Sequence, residues 1–489
     1  MPETTLTWAS VAPAVAEMYL AGAVCVILLI EVFAGERRRG LTPSLTLIAL
    51  VVGAALLVAF GQVGGRVTLF DGMYVADPLA FVLKLAAYLF LAVALLYSRT
   101  YMAERGTLRG EYYVLALTAL LGIFVLVSAN SLLTVYIGVE LLALSVYALI
   151  AFDRDNPIAA EAAMKYFVLS ALASGVLIYG MSMIYGIMGT LALDQLAAHL
   201  GAGQLTPGVV LGLAFIVAAV SFKLGAVPFH MWLPDVYHGA PTNVTLLISS
   251  VPQVAYFALA IRLLAHGLEG AVHDWSLMLA PIAVLTLILG NVVAIVQTNL
   301  KRMLAYSTIG NVGFIVLGFV TGSPAGYSAS LYYTLVYVIM VLGSFGVILL
   351  ASRKGFEADN LEDYRGLYAR DPLLALAMLA LMFSTAGVPP FVGFWAKLRV
   401  IQALWATSHP ALIIIAVVMS VVGAFYYLRV VKLMYFDQPP EGLPVAGEGA
   451  SSGAPGAGVR FALGLNALAV LALGVMPGPL LNLCGNLIR

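Results

Sequence analysis

Apolar runs, each about as long as one bilayer crossing, repeat along the whole chain and are closed off by charged, glycine-rich or proline-containing stretches. A crossing needs about 20 apolar residues. By that measure the runs at 14–34, 41–61, 77–98, 111–128, 131–152, 159–187, 207–236, 240–265, 275–297, 301–321, 326–351, 372–405, 409–432 and 459–478 predict about 14 membrane helices. The runs are continuous and do not alternate, which excludes an outer-membrane barrel. The stretch 439–458, rich in Gly, Pro, Ala and Ser, reads as a flexible loop without chemistry. The chain thus divides into an N-terminal three-helix segment (1–110), a five-helix block (111–265), a second five-helix block (275–432), the loop and a C-terminal helix (459–489).

Two of the predicted helices carry breaks. In Ser221-Phe-Lys223-Leu-Gly225-Ala-Val-Pro228-Phe-His230, proline removes a backbone donor and forces local unwinding. In Ala386-Gly-Val-Pro-Pro390 the same elements recur about 160 residues later, with Lys397 close by. Lipid does not tolerate free backbone groups, so each break must face protein or a water-filled cavity. Five helices per block is an odd number, so the second block inserts upside down relative to the first. Paired breaks in inverted blocks are the pattern of ion-coupled transporters. The expected fold is an all-α polytopic membrane protein of about 14 transmembrane helices, with two inverted five-helix repeats and discontinuous helices 7 and 12.

Composition agrees and narrows the function. The 489 residues are 62% hydrophobic and only 10% charged, against about 25% charged in soluble domains. A soluble enzyme and a disordered chain are excluded. The 24 basic and 24 acidic residues cancel without a basic block, which excludes a nucleic-acid reader. The basic residues nevertheless cluster. Arg37, Arg38, Arg39, Arg99, Arg105, Arg109, Arg154, Lys301, Arg302, Arg353, Lys354, Arg365, Arg370, Arg429, Lys432 and Arg460 fall on one side, and little beyond Arg66, Arg262 and Arg489 on the other. The positive-inside rule makes the rich side cytoplasmic and puts both termini outside. Met1-Pro-Glu-Thr-Thr lacks the positive region of a signal peptide, so the first run reads as a retained span.

Of the seven lysines, Lys84, Lys165, Lys223 and Lys397 fall within predicted spans. Lysine can lose its proton when buried and arginine does not, so these positions are candidate titratable sites. Glu140 is the one acid near the middle of a predicted span, where an ionisable group needs a partner or water. It reads as a proton or ion site, with a structural ion pair as the plainer alternative. Lys84 reads as an interfacial side chain reaching outward. Glu161 and Lys165, at i,i+4, make a local salt bridge or a proton donor site. His230 and His238 flank Trp232-Leu-Pro234-Asp235 and are candidates for proton uptake or interfacial hydrogen bonding. His199, His266, His273 and His409 are too scattered for a metal site. Cys25 and Cys484 have no ligand or redox spacing and read as packing. No nucleotide loop, iron–sulfur pattern or catalytic triad appears, so no metal or cofactor is expected and the chemistry is proton or cation movement.

At these residues the sequence resembles the antiporter-like membrane subunits of respiratory complex I, the proton-translocating NADH:quinone oxidoreductase. The resemblance covers nearly the whole chain. It rests on Gly138-Val-Glu140-Leu, Glu161-Ala-Ala-Met-Lys165-Tyr-Phe, Phe222-Lys223-Leu-Gly-Ala-Val-Pro228-Phe-His-Met-Trp-Leu-Pro-Asp235 and Gly239-Ala-Pro-Thr242. It continues in Lys301-Arg-Met-Leu-Ala-Tyr-Ser-Thr308, Glu362-Asp-Tyr-Arg-Gly366 and Gly393-Phe-Trp-Ala-Lys397. Length and one residue discriminate within the family. One type carries a long C-terminal lateral helix for which this chain has no room, and another usually has glutamate where Lys397 stands.

The resemblance implies a midplane row in which Glu140 pairs with Lys223, and a proton passes from Lys223 through a central position to Lys397. That centre is usually lysine and here falls on Gln253; Asn311 likewise stands where relatives often have histidine. Glutamine holds no proton near neutral pH, so either water carries the relay or fewer titratable sites do. The partners implied are other membrane subunits of complex I and the bilayer of a bacterial inner membrane. Two further readings are a subunit of a multisubunit cation/proton antiporter and a scaffold that does not pump.

Overall fold

A computed structural model describes residues 11–34, 40–62, 64–202, 205–439 and 457–488. The arginine cluster 37–39 and nearly all of the expected loop 439–458 lie outside the described residues. The N-terminal segment comprises α1 (Val15–Ala34), α2 (Leu41–Phe60), a short hairpin of β1 (Val67–Leu69) and β2 (Tyr74–Ala76), and α3 (Pro78–Arg105). The hairpin pairs Val67 with Ala76 and Leu69 with Tyr74. It was not expected, because three-residue strands leave no periodic signal.

The next stretch holds α4 (Gly110–Val127), α5 (Leu132–Ile150), α6 (Pro157–Met188), the short surface helix α7 (Leu193–Ala202), α8 (Pro207–Leu224), α9 (Trp232–Gly239) and α10 (Thr242–Ala260). A π-helical turn, Ile261–Gly267, extends α10. Then come α11 (Val272–Ile295), α12 (Leu300–Val320), α13 (Pro324–Ala351), α14 (Leu367–Arg370), α15 (Pro372–Ala386), α16 (Val392–Ala406) and α17 (Pro410–Tyr435). The chain ends in α18 (Ala457–Val475) and α19 (Gly478–Leu487).

Among the described residues thirteen helices are long and apolar enough to cross a membrane. The remaining expected span, 372–405, consists of two 15-residue helices, α15 and α16. The expected single C-terminal helix is also two, because Pro477 cannot continue α18. Many helix starts share one device, a capping Asp, Asn or Ser followed by proline. Asp77, Asn156, Ser323 and Asp371 each accept from a first-turn backbone N–H, with proline at the first helical position.

The centre of the molecule is α10, α12 and α13, which are almost wholly buried, while α1, α17 and α18 keep much apolar surface outward. Without a hydrophobic drive between helices in lipid, close approach comes from small residues. At Gly290 of α11 an added Cβ would stand 2.4 Å from the Gly310 nitrogen of α12, so the two backbones touch there.

Ion pairs pin both ends of the bundle. At one end Arg262, 2% exposed, makes two bonds to the Asp77 carboxylate at 2.6 and 2.8 Å and a third to the Val127 carbonyl. Lys84, expected to reach outward, is instead buried and paired with Glu17, and it donates to the Tyr74 hydroxyl at 2.9 Å. The sequence offered Lys84 no visible partner because Glu17 lies on a separate helix, 67 residues earlier in the chain. At the other end Arg105 pairs with Glu357. Lys301, expected at the start of a span on the basic side, is buried and donates to the Ala240 carbonyl at 2.8 Å.

Candidate functional site

Two lysines lie at interrupted helices. Helix α8 ends on Gly225, whose φ of +79° is favourable only for glycine, and α9 starts seven residues later. Lys223 is in the last turn of α8 and 2% exposed. Helix α15 ends in the same way on Gly387 (φ +89°), where a Cβ would also meet the Lys397 side chain at 3.0 Å. Lys397, on α16, reaches back and donates to the carbonyl of Ala386, the last residue of α15, at 2.9 Å. The Lys397 ammonium thus stands at the carbonyl end of a helix, where the macrodipole favours positive charge, and Lys223 belongs to the last turn of one.

Their partners differ from those expected. Lys223 donates to the hydroxyls of Ser170 (2.9 Å) and Ser174 (3.4 Å) on α6. Glu140 occupies the middle of α5, and its field is felt at Lys223. It does not form the expected direct ion pair, and its Oε1 is buried without a hydrogen-bond partner. Two serines occupy the position the acid was expected to fill. The Lys397 ammonium lies 5.5 Å from the centre of the Phe314 ring, a cation–π contact.

Gln253 is 3% exposed in the middle of α10, which runs unbroken through Pro252. Its Oε1 is buried and unpartnered. Beside it is the Tyr237 hydroxyl, which also lies next to the Thr308 hydroxyl and makes no close hydrogen bond of its own. Asn311, one turn along α12, is fully engaged. Its Oδ1 accepts from Tyr333 at 2.7 Å, and its Nδ2 donates to the Ser307 carbonyl at 2.8 Å and to Tyr427 at 3.3 Å.

The proposed uptake residues fall into two places. Lys165 pairs with Glu161 at 2.9 Å, as the spacing suggested, and also with Asp235 at 3.0 Å; Asp235 in turn binds Arg302 at 2.8 Å. All four form one partly exposed cluster joining α6, α9 and α12. His230 is outside it, half-buried in the α8–α9 connection with its Nδ1 unpartnered. His238, on α9, has a pKa lowered by burial and then by the Lys301 charge. Among the described residues no group of three metal-ligating side chains forms.

Sequence reading missed the buried tyrosines. Tyr333 and Tyr337 stand one turn apart on α13, and the Tyr337 hydroxyl donates to Thr308 at 2.6 Å. Their i,i+4 spacing, facing Ser307, Thr308 and Asn311 on α12, was the available signal. Aromatic residues on membrane helices are ordinarily read as packing, and only the helix pairing distinguishes the two cases.

The family described as NADH:quinone oxidoreductase/Mrp antiporter, TM, matches residues 129–423. NADH-quinone oxidoreductase subunit N of Thiobacillus denitrificans is 52% identical over 474 residues, covering 97% of this chain and 96% of that one. A chain of respiratory complex I from Thermus thermophilus superposes with a TM-score of 0.79 at 32% identity, covering 96% of this chain and 98% of that one. A chain of the Mrp complex from Dietzia has a TM-score of 0.84 at 23% identity, covering 99% and 97%, and shares the fold. The chain belongs to the NADH:quinone oxidoreductase/Mrp antiporter family of transmembrane subunits.

Proposed function

We propose that this chain is a proton-translocating membrane subunit of NADH:quinone oxidoreductase, of the subunit N type, assembled with the other membrane subunits of that complex. The observation that carries the reading is the pair of lysines, Lys223 and Lys397, at the carbonyl ends of interrupted helices, neither with an ion-pair partner among the described residues. A permanently paired ammonium would hold its proton, whereas one held by serine hydroxyls or a carbonyl is free to exchange it.

In this reading Lys223 takes a proton from the end of the bundle that holds Lys165, Glu161, Asp235 and His230, and Glu140 modulates its affinity through space. The proton moves past Gln253 to Lys397, which exchanges with the opposite end. Moving one charge across the membrane is worth about 2.3 kcal/mol per 100 mV. One pKa unit is worth about 1.4 kcal/mol, so modest changes around each lysine suffice. The energy comes from quinone reduction in other subunits, and this chain contributes no redox group, cofactor or metal. The blocks 111–265 and 275–432 are the two inverted halves of the path. The end rich in basic residues faces the cytoplasm of a bacterial inner membrane, and both termini face outward.

The test replaces Lys223 with alanine in the assembled complex and measures protons pumped per electron transferred. The ratio is expected to fall with assembly intact; normal pumping would reject a proton-carrying role for Lys223. Co-purification with sodium/proton antiporter subunits in place of quinone-oxidoreductase subunits would reject the assignment to complex I.

A further inference from the structure

Uncharged polar side chains form a row that begins near Lys223 and ends near Lys397. Tyr147 lies beside Ser170, the serine that accepts from Lys223, and its ring meets that of Tyr166 at 5.2 Å. Tyr166 neighbours Tyr256, which neighbours Tyr237. Tyr237 in turn lies beside Gln253 and Thr308. From Thr308 onward come two directly hydrogen-bonded groups, Thr308 with Tyr337 and Asn311 with Tyr333, Tyr427 and Ser307, which no direct bond joins among the described residues. Tyr337 donates to Thr308 at 2.6 Å, Tyr333 to Asn311 at 2.7 Å, Asn311 to Tyr427 at 3.3 Å, and Ser307 and Tyr427 share a 2.5 Å contact. Tyr333 stacks at 5.6 Å on Phe314, the ring that carries the Lys397 ammonium.

Packing does not account for these oxygens. A buried hydroxyl without a partner costs about 1–3 kcal/mol, and phenylalanine would fill the same space without that penalty. Yet the Tyr147 hydroxyl, the Tyr237 hydroxyl and Gln253 Oε1 are all buried and unpartnered on this one line. They are the kind of polar partners that buried waters bridge. A hydroxyl donates one hydrogen and accepts another, so it can take a proton on one side and release its own on the other. An ammonium only donates.

We infer that protons cross from Lys223 to Lys397 along a row of neutral hydroxyls, Tyr237, Thr308, Tyr337 and Tyr333, bridged by water that the Gln253 and Asn311 amides orient, with no charge stored midway. The inference rests on the proton-translocating reading above. The Lys223 ammonium gives up a proton, each hydroxyl or water gains one O–H bond as it breaks another, and the neutral Lys397 amine takes up the last proton. The row then reorients for the next transfer. Phe314 cannot relay a proton, so water makes the final step.

Tyr237→Phe tests this in the assembled complex in inverted membrane vesicles, with NADH oxidation rate and protons pumped per electron as readouts. The Tyr237 oxygen makes no close hydrogen bond, so a structural role predicts no change. The row predicts that assembly and NADH oxidation persist and that the proton ratio falls to the level of Lys223→Ala. Adding Gln253→Lys to Tyr237→Phe is expected to restore the ratio, because a central amine bypasses the missing hydroxyl. Tyr112→Phe, which removes a buried hydroxyl bonded to Ser98 and the Asn243 carbonyl off the row, is expected to pump normally. Normal pumping by Tyr237→Phe beside a defective Lys223→Ala would overturn the row and leave the proton-translocating reading standing. Normal pumping by Lys223→Ala would remove the reading itself. Loss of assembly in Tyr237→Phe, or a defect that Gln253→Lys does not restore, would make the hydroxyl a structural anchor and also overturn the row.

Discussion

Lys223 donates to the Ser170 hydroxyl at 2.9 Å, across from helix α8 to helix α6, and not to a carboxylate. A serine leaves the ammonium solvated but not neutralised. Ser170→Ala removes the shorter of its two hydrogen bonds, and a hydrogen bond to a charged group is worth about 1.5–3 kcal/mol. The expected outcome is a proton-to-electron ratio between those of the parent complex and Lys223→Ala, with Ser170→Thr close to the parent. A ratio unchanged in Ser170→Ala would show that Ser174 alone suffices.

Gln253→Lys is expected to assemble and to retain pumping. The Gln253 amide faces the Tyr237 hydroxyl, and its own oxygen is free, so an amine placed there finds polar company. Blue-native electrophoresis together with vesicle acidification checks both parts. A variant that fails to assemble would indicate a dry, tightly packed centre.

The Arg262–Asp77 pair locks the π-helical turn to the start of α3 through two short bonds. Removing one partner of a buried pair leaves an uncompensated charge and costs about 3–5 kcal/mol. Asp77→Ala is therefore expected to lower thermal stability sharply. The double substitution Asp77→Ala with Arg262→Met should recover most of the loss, since it removes both charges. Thermal melting of the purified complex compares them, and equal melting of single and double variants would contradict the account.

His238 sets a pH dependence. Burial and then Lys301 lower its pKa, partly opposed by Asp359 and Asp235, with Arg302 adding to the lowering. The folded state therefore favours neutral imidazole. Its contribution to stability is full above the ordinary histidine pKa of about 6.5 and is lost as pH falls below that value, where the unfolded chain binds the proton first. Melting of the complex between pH 7.5 and 5.5 is expected to decline toward acid, and His238→Asn should flatten part of that slope. An identical slope in the variant would assign the decline to other groups.

Much of the fold was legible in one dimension because lipid imposes one rule on every crossing. Each apolar run had to be a helix, so the spans, the two glycine–proline breaks and the lysines beside them could be read directly from residue order. The i,i+4 pair Glu161–Lys165 was legible for the same reason, since both residues share one helix face. The short hairpin, the split of the C-terminal segment at Pro477 and the Glu17 partner of Lys84 were not. The first two fall below the length at which periodicity shows, and the third joins two separate helices.

The sequence by itself determined that this is a multi-span helical protein with charge kept for a few interior positions, and it named Glu140, Lys223 and Lys397; the family resemblance added Gln253. Only the tertiary structure decided how those positions are connected. It placed Ser170 where an acid was expected, left Glu140 without a direct partner, and set the α9 hydroxyl of Tyr237 beside Gln253 and those of α13 and α17 against Thr308 and Asn311. The physical reason is that a hydrogen bond depends on where two helices meet, and helix meeting points follow from packing across the whole bundle, which residue order along any one helix does not encode.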